Sequence, residues 1–208
     1  MAILAGIFAA ILLLGLILGD WVYFVRLTPE AARYGCGVAR RRDEFASGSV
    51  ARLQERFGSN GALSLPHGIA RYYPDQGQIA IRPQYHLFSV GFRTAWPVKG
   101  LLYLSPDGEA RYRVLCVKRI PWSSAIITLV WFLLVGVGTV AFLVSYAMQG
   151  GFTTLRGLLM GFGILGIGLL VVAFGLVTVL FSYRLESTRL ERVYHELRAA
   201  AGEPGLTT

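Results

Sequence analysis

The sequence predicts a membrane protein with three transmembrane α-helices, an inserted small α+β domain built on an antiparallel sheet, and a C-terminal amphipathic helix. Three observations carry this. Apolar runs at Ala2–Leu18, Ser123–Ala147 and Gly157–Phe181 approach or exceed the ~20 residues needed to cross a bilayer. Two proline-aspartate-glycine turn segments lie between the first two runs, each flanked by strand-like sequence. Beyond the third run, Leu190, Val193 and Leu197 recur at helical spacing.

The first run has no Lys or Arg before it and ends in Trp21, Tyr23 and Phe24. That reads as an interfacial aromatic belt closing an uncleaved anchor, rather than as a signal peptide. The second is entered through Arg119-Ile120-Pro121-Trp122, and the third closes at Tyr183 and Arg184. The expected division is a first span over 1–25, a domain over 26–120, a second span over 121–147, a short loop over 148–156 and a third span over 157–183. An amphipathic helix follows over 184–201, with a disordered tail over 202–208.

Of 20 Lys and Arg residues, 15 lie in 26–120 and four follow residue 183. Basic residues are retained inside, so the domain and C-terminus are expected in the cytoplasm and the N-terminus outside. The expected location is the plasma (inner) membrane of a bacterium. Cys36 and Cys116 are the only cysteines; they suit a reducing compartment, and a disulfide is expected only if the domain were periplasmic.

Within the domain, Thr28-Pro29-Glu30 reads as an N-cap, a first-turn proline and an early acid, opening a helix to about Tyr34. A second helix is expected from Ser49 as N-cap to Phe57, with Val50, Leu53 and Phe57 on one side. Ile69–Tyr73 with Gln78–Arg82, and Leu101–Leu104 with Glu109–Val117, form the two expected hairpins. Tyr85–Val90 is a candidate fifth strand.

Glycine faces are the candidate helix-packing sites: Gly15 and Gly19 in span one, and Gly157, Gly161, Gly168 and Gly175 in span three, the last three at heptad spacing. The Gly161-x-Gly163-x-x-Gly166 match to a dinucleotide fingerprint lacks the strand-turn-helix context it needs. Arg40, Arg41, Arg42, Lys118 and Arg119 are candidate headgroup contacts, set against a solvated loop that merely enforces topology. The apolar tail stripe Leu190, Val193 and Leu197 should dock on the domain or on a partner.

No catalytic, metal or cofactor site is expected. His67, His86 and His195 lack ligand spacing, and the spans hold no Lys, Arg, Glu or His, which argues against a pump or transporter. In outline, such a domain hung on spans resembles bacterial membrane proteins with pleckstrin-homology-like domains, a likeness of architecture that carries no function. The leading expectation is a non-catalytic accessory or assembly subunit of a larger membrane complex. Its partners would be other integral membrane subunits and anionic lipids, with a homo-oligomer compatible and no nucleic acid. The alternatives are a membrane-surface module that binds anionic lipid or a small ligand, and an enzyme with an unrecognised site.

Overall fold

A computed structural model describes residues 2–58, 60–84, 96–108 and 110–202. The chain divides into two compact units, Met1–Ser124 with Arg184–Thr208, and Ala125–Tyr183. Among the described residues three helices are long and apolar enough to cross a membrane: α1 (Ala2–Val25), α4 (Trp122–Met148) and α5 (Leu155–Ala201). Between α1 and α4 come α2 (Pro29–Arg33), β1 (Cys36–Ala46), α3 (Ser47–Arg56), β2 (Ala62–Leu65), β3 (Gly68–Tyr73), β4 (Gln78–Pro83), β5 (Lys99–Pro106) and β6 (Arg111–Ile120).

The six strands form one antiparallel sheet in the order β1-β6-β5-β4-β3-β2. Both expected hairpins are present, and their turn glycines, Gly77 (φ 56°) and Gly108 (φ 76°), adopt the left-handed conformation that the turns require. The Thr28 hydroxyl accepts the Ala31 N–H at 3.3 Å and caps α2 as expected.

Two expectations are corrected. The Arg40-Arg41-Arg42 segment is not a loop: it lies inside β1, an eleven-residue edge strand paired along its length with β6. An edge strand tolerates charge because one of its sides meets solvent. Ser49 does not cap α3. The ladder closes with the Ser47 N–H donating to Ala110 at 2.9 Å, so the helix begins where the strand ends, and Ser49 is buried in its first turn. The candidate strand Tyr85–Val90 and the tail beyond Gly202 fall outside the described residues.

Strand alternation and register divide the sheet residues between two faces. One face carries Arg41, Asp43, Phe45, Val114, Cys116, Leu102, Gly100, Ile79, Ile81, Ala70 and Gly68. The last part of α5 lies on it, with Leu190, Val193, Tyr194 and Leu197 all at most 3% exposed. The approach is close at two glycines. A Cβ at Gly68 would stand 2.6 Å from the Val193 methyls, and one at Gly100 would stand 3.4 Å from Leu190. On the other face, Ala32 packs with Tyr73, Ala80 and Leu101, joined by Leu27 and Tyr103.

In the second unit, two of the three heptad glycines of α5 accept side chains of α4. Gly168 lies against Thr139 and Gly175 against Trp131, and a Cβ at either glycine would come within 2.6 Å of that neighbour. Gly157 and Gly161 instead face the connecting loop, at the Gly151 carbonyl and the Phe152 ring.

Candidate functional site

Two polar clusters in the first unit gather most of its buried charge. The first lies where α1 meets the domain. Asp20, in the last turns of α1, accepts the Tyr34 hydroxyl, the Ser123 hydroxyl, and the Ser123 N–H at 3.0 Å. One carboxylate thus ties together the ends of α1 and α2 and the start of α4. Hydrogen bonding to Asp20, followed by burial, pushes the Tyr34 hydroxyl up to about 12.

Beside it, Lys99 opens β5 at only 2% exposure. Its ammonium donates to the carbonyl of Phe24 at 3.1 Å and to that of Ala31, and lies 4.1 Å from the centre of the Phe24 ring. The Phe24 carbonyl belongs to the end of α1, where unpaired carbonyls and the helix dipole favour a cation. Burial, and then the Arg119 guanidinium, bring the Lys99 ammonium down to about 7, against the pull of Asp20. Arg119 itself donates to the carbonyls of Arg33 at 2.6 Å and Gly35 at 2.9 Å. Gly35 is required there: it sits at φ 110°, and a Cβ would reach 2.6 Å from the Ile120 carbonyl.

The second cluster fastens α5 to the sheet. Asp43 accepts the Tyr194 hydroxyl at 2.7 Å and Arg198 at 3.2 Å. Arg198 also stands over Phe45. Lys118 donates to Ser187 and Glu191, each at 2.6 Å. Glu196 accepts the His67 N–H at 3.0 Å and also pairs with its ring nitrogen. Hydrogen bonding from Lys118 holds the Glu191 carboxyl below its ordinary value against burial. Burial, and then the bond to Asp43, raise the Tyr194 hydroxyl. Burial pushes the Cys116 thiol up to about 11.

These placements sort the candidate residues. Of the five headgroup cations, Arg40 and Arg42 are exposed. Arg41 is turned to the opposite face, Lys118 is paired under α5, and Arg119 is bonded to backbone. Leu190, Val193 and Leu197 are covered by the chain's own sheet, one of the two coverings that the sequence allowed, so the stripe offers no exposed face to a partner. Gly15 and Gly19 meet nothing within their own unit that a Cβ would touch.

Cys36 opposes Ile120, four residues along β6 from Cys116, about 13 Å at strand rise and beyond disulfide reach. His67 lies in the β2–β3 turn, while His195 stands 6.2 Å from the Tyr194 ring; His86 is outside the described residues. Among the described residues no group of His, Cys, Asp and Glu is arranged to hold a metal ion.

Asp20, Lys99 and Asp43 were not singled out by the sequence. The signal for Asp20 was a lone acid closing an apolar run, and that for Lys99 a lone cation within Val98-Lys99-Gly100-Leu101-Leu102, whereas Asp43 is hidden in the charged run over 40–44. No family model, curated protein or solved structure matches the chain.

Proposed function

We propose that this chain is a non-catalytic integral membrane accessory or assembly subunit of a larger membrane complex, with its domain and C-terminus in the cytoplasm. One observation carries the reading. Asp20, Lys99, Asp43, Lys118, Glu191 and Glu196 each tie one element of the fold to another. Their ionic groups are used for fastening. Lys99, whose lowered pKa would suit a nucleophile, holds two backbone carbonyls beneath the sheet. A firmly fastened domain on apolar helices suits a part that positions other proteins.

The Gly15 and Gly19 face of α1 supports the same reading, because small residues permit close helix approach in lipid. Purification in mild detergent with mass spectrometry tests it. A stoichiometric membrane partner that Gly15→Leu with Gly19→Leu releases is the expected result. Recovery of lipid alone would favour the surface module and sink the subunit reading.

A further inference from the structure

We propose that the outer edge of β1 receives an extended acidic segment of a partner protein as a seventh strand. The inference rests on the subunit reading and names the contact through which it would act. Among the described residues β1 and β2 end the sheet, but β2 has four residues and β1 has eleven. Short edges, bulges and charge are common protections against added strands. β1 is long, its register shift is confined to the step between Gly37 and Ala39, and beyond it residues 40–46 pair regularly, so charge is what guards this stretch of edge.

The direction of its backbone groups follows from the register. The Ser47 N–H donates to Ala110, and the pairs Phe45 with Tyr112, Asp43 with Val114 and Arg41 with Cys116 continue that series inward. In an antiparallel ladder alternate residues bond the neighbouring strand. The amides and carbonyls of Arg40, Arg42 and Glu44 therefore point away from β6. The Glu44 N–H is met by the carboxylate of Asp43 at 2.9 Å, as an off-ladder donor would be.

The charge at this edge selects the occupant. Arg40 and Arg42 are exposed on the same face, between the outward backbone groups. Glu44 is taken by Arg111 at 3.2 Å, so the edge presents positive charge. A strand carrying Glu or Asp at alternate positions places carboxylates opposite both arginines while its backbone completes the ladder. A second copy fits less well: the antiparallel register that sets Arg40 against Glu44 sets Arg42 against itself. A headgroup also fits less well, since Arg42 lies six residues, about 20 Å, along the strand from Cys36.

The test uses the full chain in nanodiscs of zwitterionic lipid. The probe is a fluorescent peptide of about ten residues alternating Glu with Val or Thr, read by anisotropy. It should bind about tenfold more tightly than its Lys-for-Glu counterpart. Arg42→Gln keeps the outward N–H and should weaken binding by a few-fold. Arg42→Pro removes that N–H as well, at an edge where proline is tolerated, and should weaken binding about tenfold beyond Arg42→Gln, with an unchanged melting temperature.

Equal binding by Arg42→Pro and Arg42→Gln would reduce the contact to charge and overturn strand addition. Loss of peptide binding when the lipid is phosphatidylglycerol would give the arginines to headgroups, and a dimer broken by Arg42→Pro would give the edge to a second copy; either overturns the proposal. A co-purifying partner retained by Arg42→Pro rejects the edge and leaves the subunit reading standing. Absence of any partner from the wild type rejects the subunit reading itself.

Discussion

The Arg41 guanidinium stands 5.6 Å from the centre of the Tyr194 ring, and the same tyrosine donates its hydroxyl to Asp43, two residues along β1. Strand alternation splits the arginine triplet. Arg40 and Arg42 turn to one face, and Arg41 turns to the face that α5 covers. A cluster that looks uniform in sequence is therefore divided, with one arginine set against α5 and two exposed at the edge of the sheet.

The fastening of α5 is directly testable. Tyr194→Phe should leave Asp43 short of a donor at a half-buried site and cost about 1 kcal/mol. Leu197→Ala, at a fully buried position, should cost about 2–5 kcal/mol. Leu190→Glu with Leu197→Glu should detach α5 and expose the domain to limited proteolysis, with the composition of the purified material unchanged. Loss of a bound protein without new cleavage would assign the stripe to a partner after all.

The glycines of α5 should differ sharply in tolerance. Gly168→Leu drives a side chain into Thr139, and the overpacking should cost about 1–3 kcal/mol. Gly166 has nothing within 4 Å of where its Cβ would stand, so Gly166→Leu should be nearly neutral. Thermal aggregation in detergent, read by fluorescence size exclusion, compares the two. Equal melting temperatures would mean that the α4 contact does not constrain that position.

The legible parts of the fold were those written in local chemistry. Pro74-Asp75-Gln76-Gly77 and Ser105-Pro106-Asp107-Gly108 state their turns because a left-handed residue is needed and glycine supplies it. The heptad of Gly161, Gly168 and Gly175 states a packing face but not its occupant, which depends on where Thr139 and Trp131 fall on a different helix. β1 was illegible because its five successive charged residues, Arg40 to Glu44, mask strand alternation, and only pairing with β6 makes them a strand. Lys99 was illegible for the opposite reason. Its role depends on the carbonyls of Phe24 and Ala31, which lie 75 and 68 residues away in sequence.

Topology can be read with single cysteines in a background lacking Cys36 and Cys116. Ala199 and Gln149 are both exposed. In intact cells an impermeant thiol reagent should label Gln149→Cys and spare Ala199→Cys if the proposed orientation holds, with the basic domain inside. The reverse pattern would invert the orientation and place the domain outside.

Lys99 gives the sharpest pH prediction. Its folded value is about 7, against ~10.4 in an unfolded chain. Between those values the unfolded chain holds a proton that the folded chain has released, so stability rises with pH. The slope should reach at most about 1.4 kcal/mol per unit; below pH 7 both states are protonated and it vanishes. Melting between about pH 7 and 8 stays below the ordinary cysteine and tyrosine ranges, which matters because the raised Cys116 thiol and the raised hydroxyls of Tyr34 and Tyr194 act with the opposite sign. A folded value above the unfolded one loses stability once pH climbs past the unfolded value, about 8.5 for cysteine and about 10 for tyrosine. The wild type should gain stability across this window, and Lys99→Met, which has no charge to lose, should be flat. Asp20, Arg119 and the carbonyls of Phe24 and Ala31 are the polar groups that face the ammonium. If the wild type were as flat as Lys99→Met, those carbonyls and the Phe24 ring would be holding Lys99 charged throughout, and the joint between α1 and the sheet would be indifferent to pH.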